Sequence, residues 1–499
     1  MRFLWSDWIF ISFYLGLILF VGWWKGRDES TIKDFIGGGQ AVPWWAVLAS
    51  LVATEISALT FLNVPGIAFT GDLTYLQFGI GTILGRFVVG FLFLTAFYKT
   101  RYLTVYSYLA DRFGPHTRYA ATGLFLLTRL LGSSLRLSLA VVGVSVIFEL
   151  PFLLTLLLFG LLAVAYTFWG GIKAIMWTDL VQALAFAGAC LAALLWLGHW
   201  LGGWEMILQA ADSAGKTRLF NLSPSSEGWT AWFAEGNLLP LALLNGFLAI
   251  IASLGTDQDL TQRLLTCRDL KSARRSVILS GFVGIPIAGL FLLLGLGLWM
   301  YAQQSPDWVV PLAESGKVDG NRVFSSFIGT EAPVWLRGVL LIGVFAAAMS
   351  SVDSAMGALS STVTVDLYKP LIKPDAPDSH YVWISRLGVL FFGVVLMALA
   401  FAFQYAQSFL WLAFEIASIP AGALLGVFLL GLLTKQRGSD PGNLIALASS
   451  IFVTSTLAIL RRTELITLDW TWLIGIGLGV SFGLGVLFTT PRPDEPETT

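Results

Sequence analysis

A chain of 499 residues that is 56% hydrophobic and only 12% charged holds half the charged residues of a soluble domain, for which about 25% is usual. Its net charge of −1 argues against a nucleic-acid partner. Two cysteines and three histidines, none in metal-ligand spacing or a His-Glu-x-x-His pattern, give no disulfide framework and speak against a zinc enzyme.

Apolar runs long enough to cross a bilayer, about 20 residues each, recur along the whole chain. The first, 6–24, follows MRFLWSDW with no small-residue cleavage site. It reads as an extra N-terminal transmembrane helix within residues 1–30, not as a removable signal. Five more lie at 41–66, 73–98, 118–148, 151–169 and 176–201, ahead of a long loop at 202–236. Another five follow at 237–254, 277–303, 334–362, 382–404 and 408–433. Residues 434–499 hold two C-terminal helices, 442–460 and 470–489, and the charged tail TTPRPDEPETT. The sum is an all-α membrane protein of about 13 transmembrane helices.

Lys and Arg collect in cytoplasmic loops. With the N-terminus outside and the C-terminus inside, the richest loops face inward, including the one with Arg263, Arg268, Lys271, Arg274 and Arg275. The long loops 202–236 and 304–333 then face outward. Two segments look interrupted. The second carries Thr-Glu-Ile-Ser at mid-depth and Pro65-Gly66 at its outer end; the seventh carries Asn245-Gly246, then Ser253, Gly255 and Thr256. They open two five-helix groups, 37–201 and 237–433, separated by an odd number of spans and so opposite in topology. Paired broken helices in inverted repeats mark a transport site between the repeats.

An ionisable side chain at the bilayer centre costs at least ~2.5 kcal/mol, so Glu55, Arg86, Arg129, Arg136, Asp179, Asp353, Arg386 and Glu415 each need a reason. In FAAAMSSVDSAMGALSS, 345–361, Ser350, Asp353 and Ser354 share a helical face, with Ser351 beside them. Hydroxyl and carboxylate oxygens aimed at one point suit a hard cation. The competing reading is close helix packing by small residues, which needs no carboxylate. Asp179, near Lys173, reads either as an interfacial acid or as a functional carboxylate. Arg129 and Arg136 lie seven apart on one stripe, with Arg136 level with Glu55. Either Arg136 pairs with Glu55, Asp353 or Glu415, or it is a fixed charge for an anionic solute. Arg86 and Arg386 read as structural residues near helix ends.

The pieces GGG at 37–39, ATEIS at 53–57, YSYLADRFG at 106–114, WGGIKAIMWTDLVQ at 169–182, TDQDLTQRLL at 256–265 and AAAMSSVDSA at 346–355 together resemble the sodium/solute symporter family. That family includes the sodium-coupled sugar, proline, sialic acid, pantothenate and iodide carriers. The resemblance, from about residue 30 to 440, implies a LeuT-like fold of two inverted five-helix repeats. It also implies a sodium site built from the carbonyls of Ala53, Ile56 and Ala347 and the hydroxyls of Ser350 and Ser351. A second cation site in some members maps onto Asp179, Ser350, Asp353 and Ser354, with Asp353 replacing a usual serine or threonine. The gating tyrosine and sugar-binding asparagine of the sugar carriers have no counterpart, their places falling on Ser253 and Ile250, so a sugar is disfavoured. Arg136 resembles in location the arginine that holds the carboxylate in sialic acid carriers. The inferred pocket is Thr60, Phe61, Asn63, Gln77, Arg136, Ser253 and Phe414, with Glu55 beside it.

The favoured reading is therefore a sodium-coupled secondary symporter, multi-pass in the cell membrane, importing a small polar solute, an organic anion such as a carboxylate, by alternating access. The sodium ion is its only implied cofactor, and the lipid bilayer and the solute are its partners. The rival within transport is a neutral or zwitterionic solute such as an amino acid. A channel, sensor or membrane-embedded enzyme fits less well, because the chain shows no nucleophile–base pair and no soluble output domain.

Overall fold

Backbone polar groups find no water in a bilayer, so each long apolar run satisfies its own hydrogen bonds as a helix. The computed structural model describes residues 5–27, 31–224, 228, 230–313, 315–405 and 409–489. The principal helices are α1 Trp5–Gly26, α2 Trp44–Glu55, α3 Ala58–Thr70, α4 Leu76–Val88, α5 Pro115–Phe148, α6 Phe152–Trp169 and α7 Ile172–Trp200. After the long loop come α8 Leu239–Gly255, α9 Gln258–Leu265, α10 Leu270–Gln304, α11 Val334–Thr362, α12 Asp378–Ala402, α13 Phe409–Leu433, α14 Asp440–Arg462 and α15 Trp472–Leu487. α4 runs on through a π-helical turn to Thr100. The tail expected beyond Thr489 lies outside the described residues.

Eleven helices are long and apolar enough to span, and α2 with α3, bent by 56°, makes twelve. The thirteenth expected span, 470–489, is the 16-residue α15. At 1.5 Å per residue it reaches about 24 Å, short of a hydrocarbon core of about 30 Å. Large apolar side chains such as Phe13, Leu84, Phe91, Leu184, Phe391 and Phe452 point outward, as an acyl-chain environment requires.

The second segment breaks where the polar Thr-Glu-Ile-Ser run predicts. Ile56 leaves helical geometry at φ −89°, ψ 79°, and α3 restarts two residues later. Pro65 does not end it; the helix continues to Thr70. In the seventh segment the break falls at Thr256–Asp257, between α8 and α9, and the expected interruption at Asn245-Gly246 is absent. Gly246 serves contact instead: a methyl group there would overlap the Phe78 carbonyl oxygen on α4. The basic loop is also shorter than expected, since α10 begins at Leu270, capped by Asp269, whose carboxylate accepts the Ser272 N–H at 2.8 Å.

The long loop ahead of α8 is tied down. Lys216 donates to the carbonyls of Phe69 and Gly71 at the end of α3, at 2.8 and 3.0 Å, and Arg218 pairs with Asp72 at 2.9 Å.

Candidate functional site

The break between α2 and α3 faces the serine-bearing middle of α11. The Ser350 hydroxyl lies 3.5 Å from the Ala53 carbonyl and 3.2 Å from the Ala347 carbonyl. The Ser351 hydroxyl lies 3.3 Å from the same Ala347 oxygen. All four residues are buried, as is Ile56 at the break itself. A helical serine ordinarily bonds back to its own helix, and both serines do so. The contact from Ser350 to Ala53 is different in kind, because it joins α11 to the last turn of α2, just ahead of the break at Ile56.

One turn along α11, the arrangement is ionic. Ser354 donates to the Ser350 carbonyl at 2.6 Å and to Asp353 at 3.1 Å. Asp353 also accepts the Tyr166 hydroxyl at 2.8 Å. Asp179 accepts the Ser50 hydroxyl at 2.6 Å. Between Asp179 and Ser354 lies the guanidinium of Arg263, 3.2 Å from the carboxylate and 2.5 Å from the hydroxyl. Its remaining donors reach Ser50 at 2.9 Å and Asp259 at 2.5 Å. A positive charge of the chain itself thus lies on two of the four residues, Asp179 and Ser354, onto which the second cation site maps. Arg263 itself, counted by sequence among the cytoplasmic loop residues, is fully buried on α9. Its signal was the Asp259–Arg263 spacing of four, which puts the two on one helical face.

Beside the break, whose Thr54, Glu55, Ile56 and Ser57 line it, is a cavity of ≈ 280 Å³. Of the expected solute residues, Glu55, Thr60, Arg136, Ser253 and Phe414 line it. Three do not, and correct the sequence reading. Phe61 is fully buried against Phe291 and Phe324, ring centroids 5.4 and 5.3 Å away. Asn63 is buried off the cavity. Gln77 holds the long loop ahead of α8, donating to the Asn237 carbonyl at 3.1 Å and accepting the Asn221 N–H at 2.8 Å. Residues missed by sequence include Tyr75, Phe78, Asn245 and Trp470, all in the wall.

The charges in the wall sort themselves into pairs with one left over. Glu55 receives both terminal nitrogens of Arg86, at 3.1 and 2.5 Å, so Arg86 is a buried partner and not an interfacial residue. Arg129 pairs with the buried Asp259 and lies 3.6 Å from Asp257. Glu415 is held by Arg461 at 2.8 Å and Arg462 at 3.2 Å. Among the described residues, Arg136 has no hydrogen-bond or ion-pair partner, and its Nε is buried without one. The wall carries three guanidinium groups against two carboxylates, Glu55 and Asp257. Otherwise it mixes apolar side chains, among them Phe78, Ile250, Ile285 and Phe414, with hydroxyl and amide ones such as Thr60, Thr128, Ser133, Asn245 and Ser253. A second cavity of ≈ 790 Å³ shares Tyr75, Phe78, Asn245, Phe414 and Trp470 with the first.

The sodium:solute symporter family model matches residues 35–449. The sodium/sialic acid symporter SiaT of Proteus mirabilis is 26% identical over 432 residues, 85% of this chain and 84% of that protein. Sodium-coupled monocarboxylate transporter 2 of Danio rerio is 24% identical, over 86% of this chain and 68% of its own. The sodium/glucose cotransporter of Vibrio parahaemolyticus is 25% identical, over 89% and 83%. Among solved structures, a Na+-coupled sialic acid symporter in a substrate-bound outward-open state superposes with a TM-score of 0.86 at 24% identity, covering 97% of this chain and 98% of its own.

Proposed function

Taking as premise that this chain belongs to the sodium:solute symporter family, and so is a multi-pass, sodium-coupled solute transporter and not an enzyme, we propose that its solute is an organic monoanion, a carboxylate with an apolar body. The observation that carries the reading is Arg136, the one cavity guanidinium without a partner among the described residues. A charge held in a partly dry wall with no ion pair of its own, and with Asp257 acting on it only at longer range, is costly, and a carboxylate can relieve that cost by bidentate, charge-assisted hydrogen bonds. The surrounding Phe, Ile and Ala side chains would bury a hydrocarbon or aryl body, and hydroxyls such as those of Thr60, Ser133 and Ser253 are available to a polar substituent on it. Two of the relatives above take acids, sialic acid and monocarboxylates.

We place the driving sodium ion among the carbonyls of Ala53, Ile56 and Ala347 and the hydroxyls of Ser350 and Ser351. Unwinding at Ile56 is what makes carbonyls available there, since a continuous helix would engage them in its own ladder. The same break supplies Glu55, Ile56, Ser57 and Thr60 to the cavity. Sodium and solute therefore grip one hinge from two sides. Each holds the segment in the shape the other needs, which makes their affinities rise together, reciprocally. Each sodium crossing a 100 mV potential supplies about 2.3 kcal/mol. At Asp179, Ser350, Asp353 and Ser354 the buried Arg263 stands in for a second sodium, so the reading is one sodium per solute. The two breaks, at Ile56–Ser57 and Thr256–Asp257, open the two inverted repeats 37–201 and 237–433, with the N-terminus outside and the C-terminus inside.

The test is sodium-gradient-driven uptake by proteoliposomes across monocarboxylates, neutral amino acids and hexoses. Carboxylates alone should accumulate, and only with an inward sodium gradient. Accumulation of a neutral amino acid or a hexose, with carboxylates inert, overturns the anion reading.

A further inference from the structure

We propose that Trp470, in the turn ahead of the chain's last helix, determines specificity: its indole forms the outer wall of the solute cavity and limits the bulk of the carboxylate accepted. The proposal rests on the carboxylate reading above. It concerns a helix outside the ten that form the two repeats.

Four rings from three separate parts of the chain stand in one stack. Tyr75 and Phe78 of α4 lie 6.5 Å apart at 28°, Phe78 and Phe414 of α13 6.2 Å apart at 26°, and Phe414 and Trp470 5.7 Å apart at 25°. Offset, near-parallel rings at such spacings attract beyond their burial alone. All four line both cavities, so the stack is the partition between the inner cavity and the outer, wider one. One turn on, Ile474 lines the inner cavity alone. The last helix thus reaches the solute space by two side chains.

The turn that carries Trp470 is held from three directions. Asn245 on α8 donates to the Thr471 carbonyl at 2.8 Å. The Asp469 carboxylate accepts the Thr471 N–H at 3.0 Å, and the Asp469 N–H reaches the Phe233 carbonyl at 2.9 Å. Phe233 stacks on Trp472 at 5.2 Å. Below the turn, α15 lies against α13 at backbone distance: a methyl group on Gly422 would overlap the Ile474 carbonyl, and one on Gly426 the Ser481 hydroxyl. Backbones packed this closely cannot slide independently. Phe414 and Trp470 therefore form one leaf, and the seam that must part to admit solute runs between Phe78 and Phe414. Trp470 stays with its leaf and remains the outer boundary of the pocket. A solute too long for the space beneath the indole cannot be enclosed.

Two measurements test this, one of them independent of the solute's identity. First, Ala417, which lines the inner cavity only, is replaced by cysteine; the native thiols Cys190 and Cys267 are both buried. An impermeant thiol reagent added to intact cells should label A417C slowly and A417C/W470A at least fivefold faster, with A417C/W470F between. Equal rates in all three overturn the proposal. Second, uptake of a graded series of carboxylates, from short alkyl to biaryl, is measured for W470A and W470F. W470A should raise the KM of the short members severalfold and admit bulky members that the parent protein excludes, and W470F should largely restore the parent profile. An unchanged size profile in W470A overturns the assignment of specificity. If the parent protein transports no carboxylate, the anion reading fails, while the labelling rates still decide whether the indole closes the cavity. Sodium-dependent thermal stabilisation without solute should persist in W470A, and its loss together with equal labelling would mark Trp470 as a packing residue only.

Discussion

Replacing Arg136 by alanine separates a solute-binding charge from a structural one. A carboxylate about 4 Å from the guanidinium, at an effective dielectric constant near 20, gains about 4 kcal/mol of Coulomb energy. Desolvation of both groups opposes this, leaving a net of about 2–3 kcal/mol, or roughly 30- to 150-fold in affinity. Arg136→Ala should therefore raise the KM for a carboxylate by that factor or abolish measurable uptake. Its effect on the empty protein should be small or slightly stabilising, because no described hydrogen-bond or ion-pair partner is left behind and a poorly compensated, half-buried charge is removed. Arg86→Ala is the internal contrast. It strands the Glu55 carboxylate, now held by two nitrogens, and breaking a buried pair typically costs about 3–5 kcal/mol. Arg136→Lys keeps the charge but loses the planar fork, so an intermediate loss of about tenfold is expected. The assays are sodium-driven uptake and thermal unfolding of each variant without solute. Wild-type uptake by Arg136→Ala would refute the assignment, as would destabilisation of the empty protein on the scale of Arg86→Ala.

Ser350→Ala and Ser351→Ala should each raise the sodium concentration needed for half-maximal thermal stabilisation severalfold, while solute stays bound at saturating sodium; an unchanged sodium requirement in both removes the site from α11. Arg263→Ala should be the most damaging substitution in the ionic cluster, costing about 3–5 kcal/mol, because Asp179 and Asp259 both lose a direct ion-pair contact to this buried guanidinium. Recovery of a monodisperse, wild-type-stable Arg263→Ala protein would contradict that. At the exposed N-terminal end of α10, the N–H of Ser272 holds the Asp269 carboxyl below its ordinary range. A depressed carboxylate contributes stability that is present above the unfolded pKa of about 3.9 and is lost as pH falls through the lower folded value. Asp269→Ala should therefore lose about 1 kcal/mol at neutral pH, with the difference from wild type vanishing in acid. A difference that persists into strong acid would argue against the cap.

Local properties were legible from the residues in order. Hydrophobic run length located the long helices, since a helix in lipid needs only its own backbone and apolar side chains. The Thr-Glu-Ile-Ser interruption located the bend at Ile56, and a carboxylate among serines singled out α11, which packs against the last turn before that bend. Where an inference needed to know which helix lies beside which, order along the chain was not enough. Helical periodicity assigned a face to Glu55 and to Arg86, but not that the two meet, nor that Arg263 of α9 leaves its loop to lie on Asp179 of α7. Thr60 faces the cavity while Phe61, about 100° round the helix, packs in the protein, and one register of rotation decides that. Gln77 looked like a solute ligand by type, yet its amide answers unpaired backbone groups of a distant loop. Trp470, in the turn ahead of α15, carried no local sign of its place over Phe414. Hydropathy and helix breaks arise from interactions within a few residues of one another. The pairing of charges and the walls of a cavity arise from contacts between segments tens to hundreds of residues apart, and only packing chooses among them.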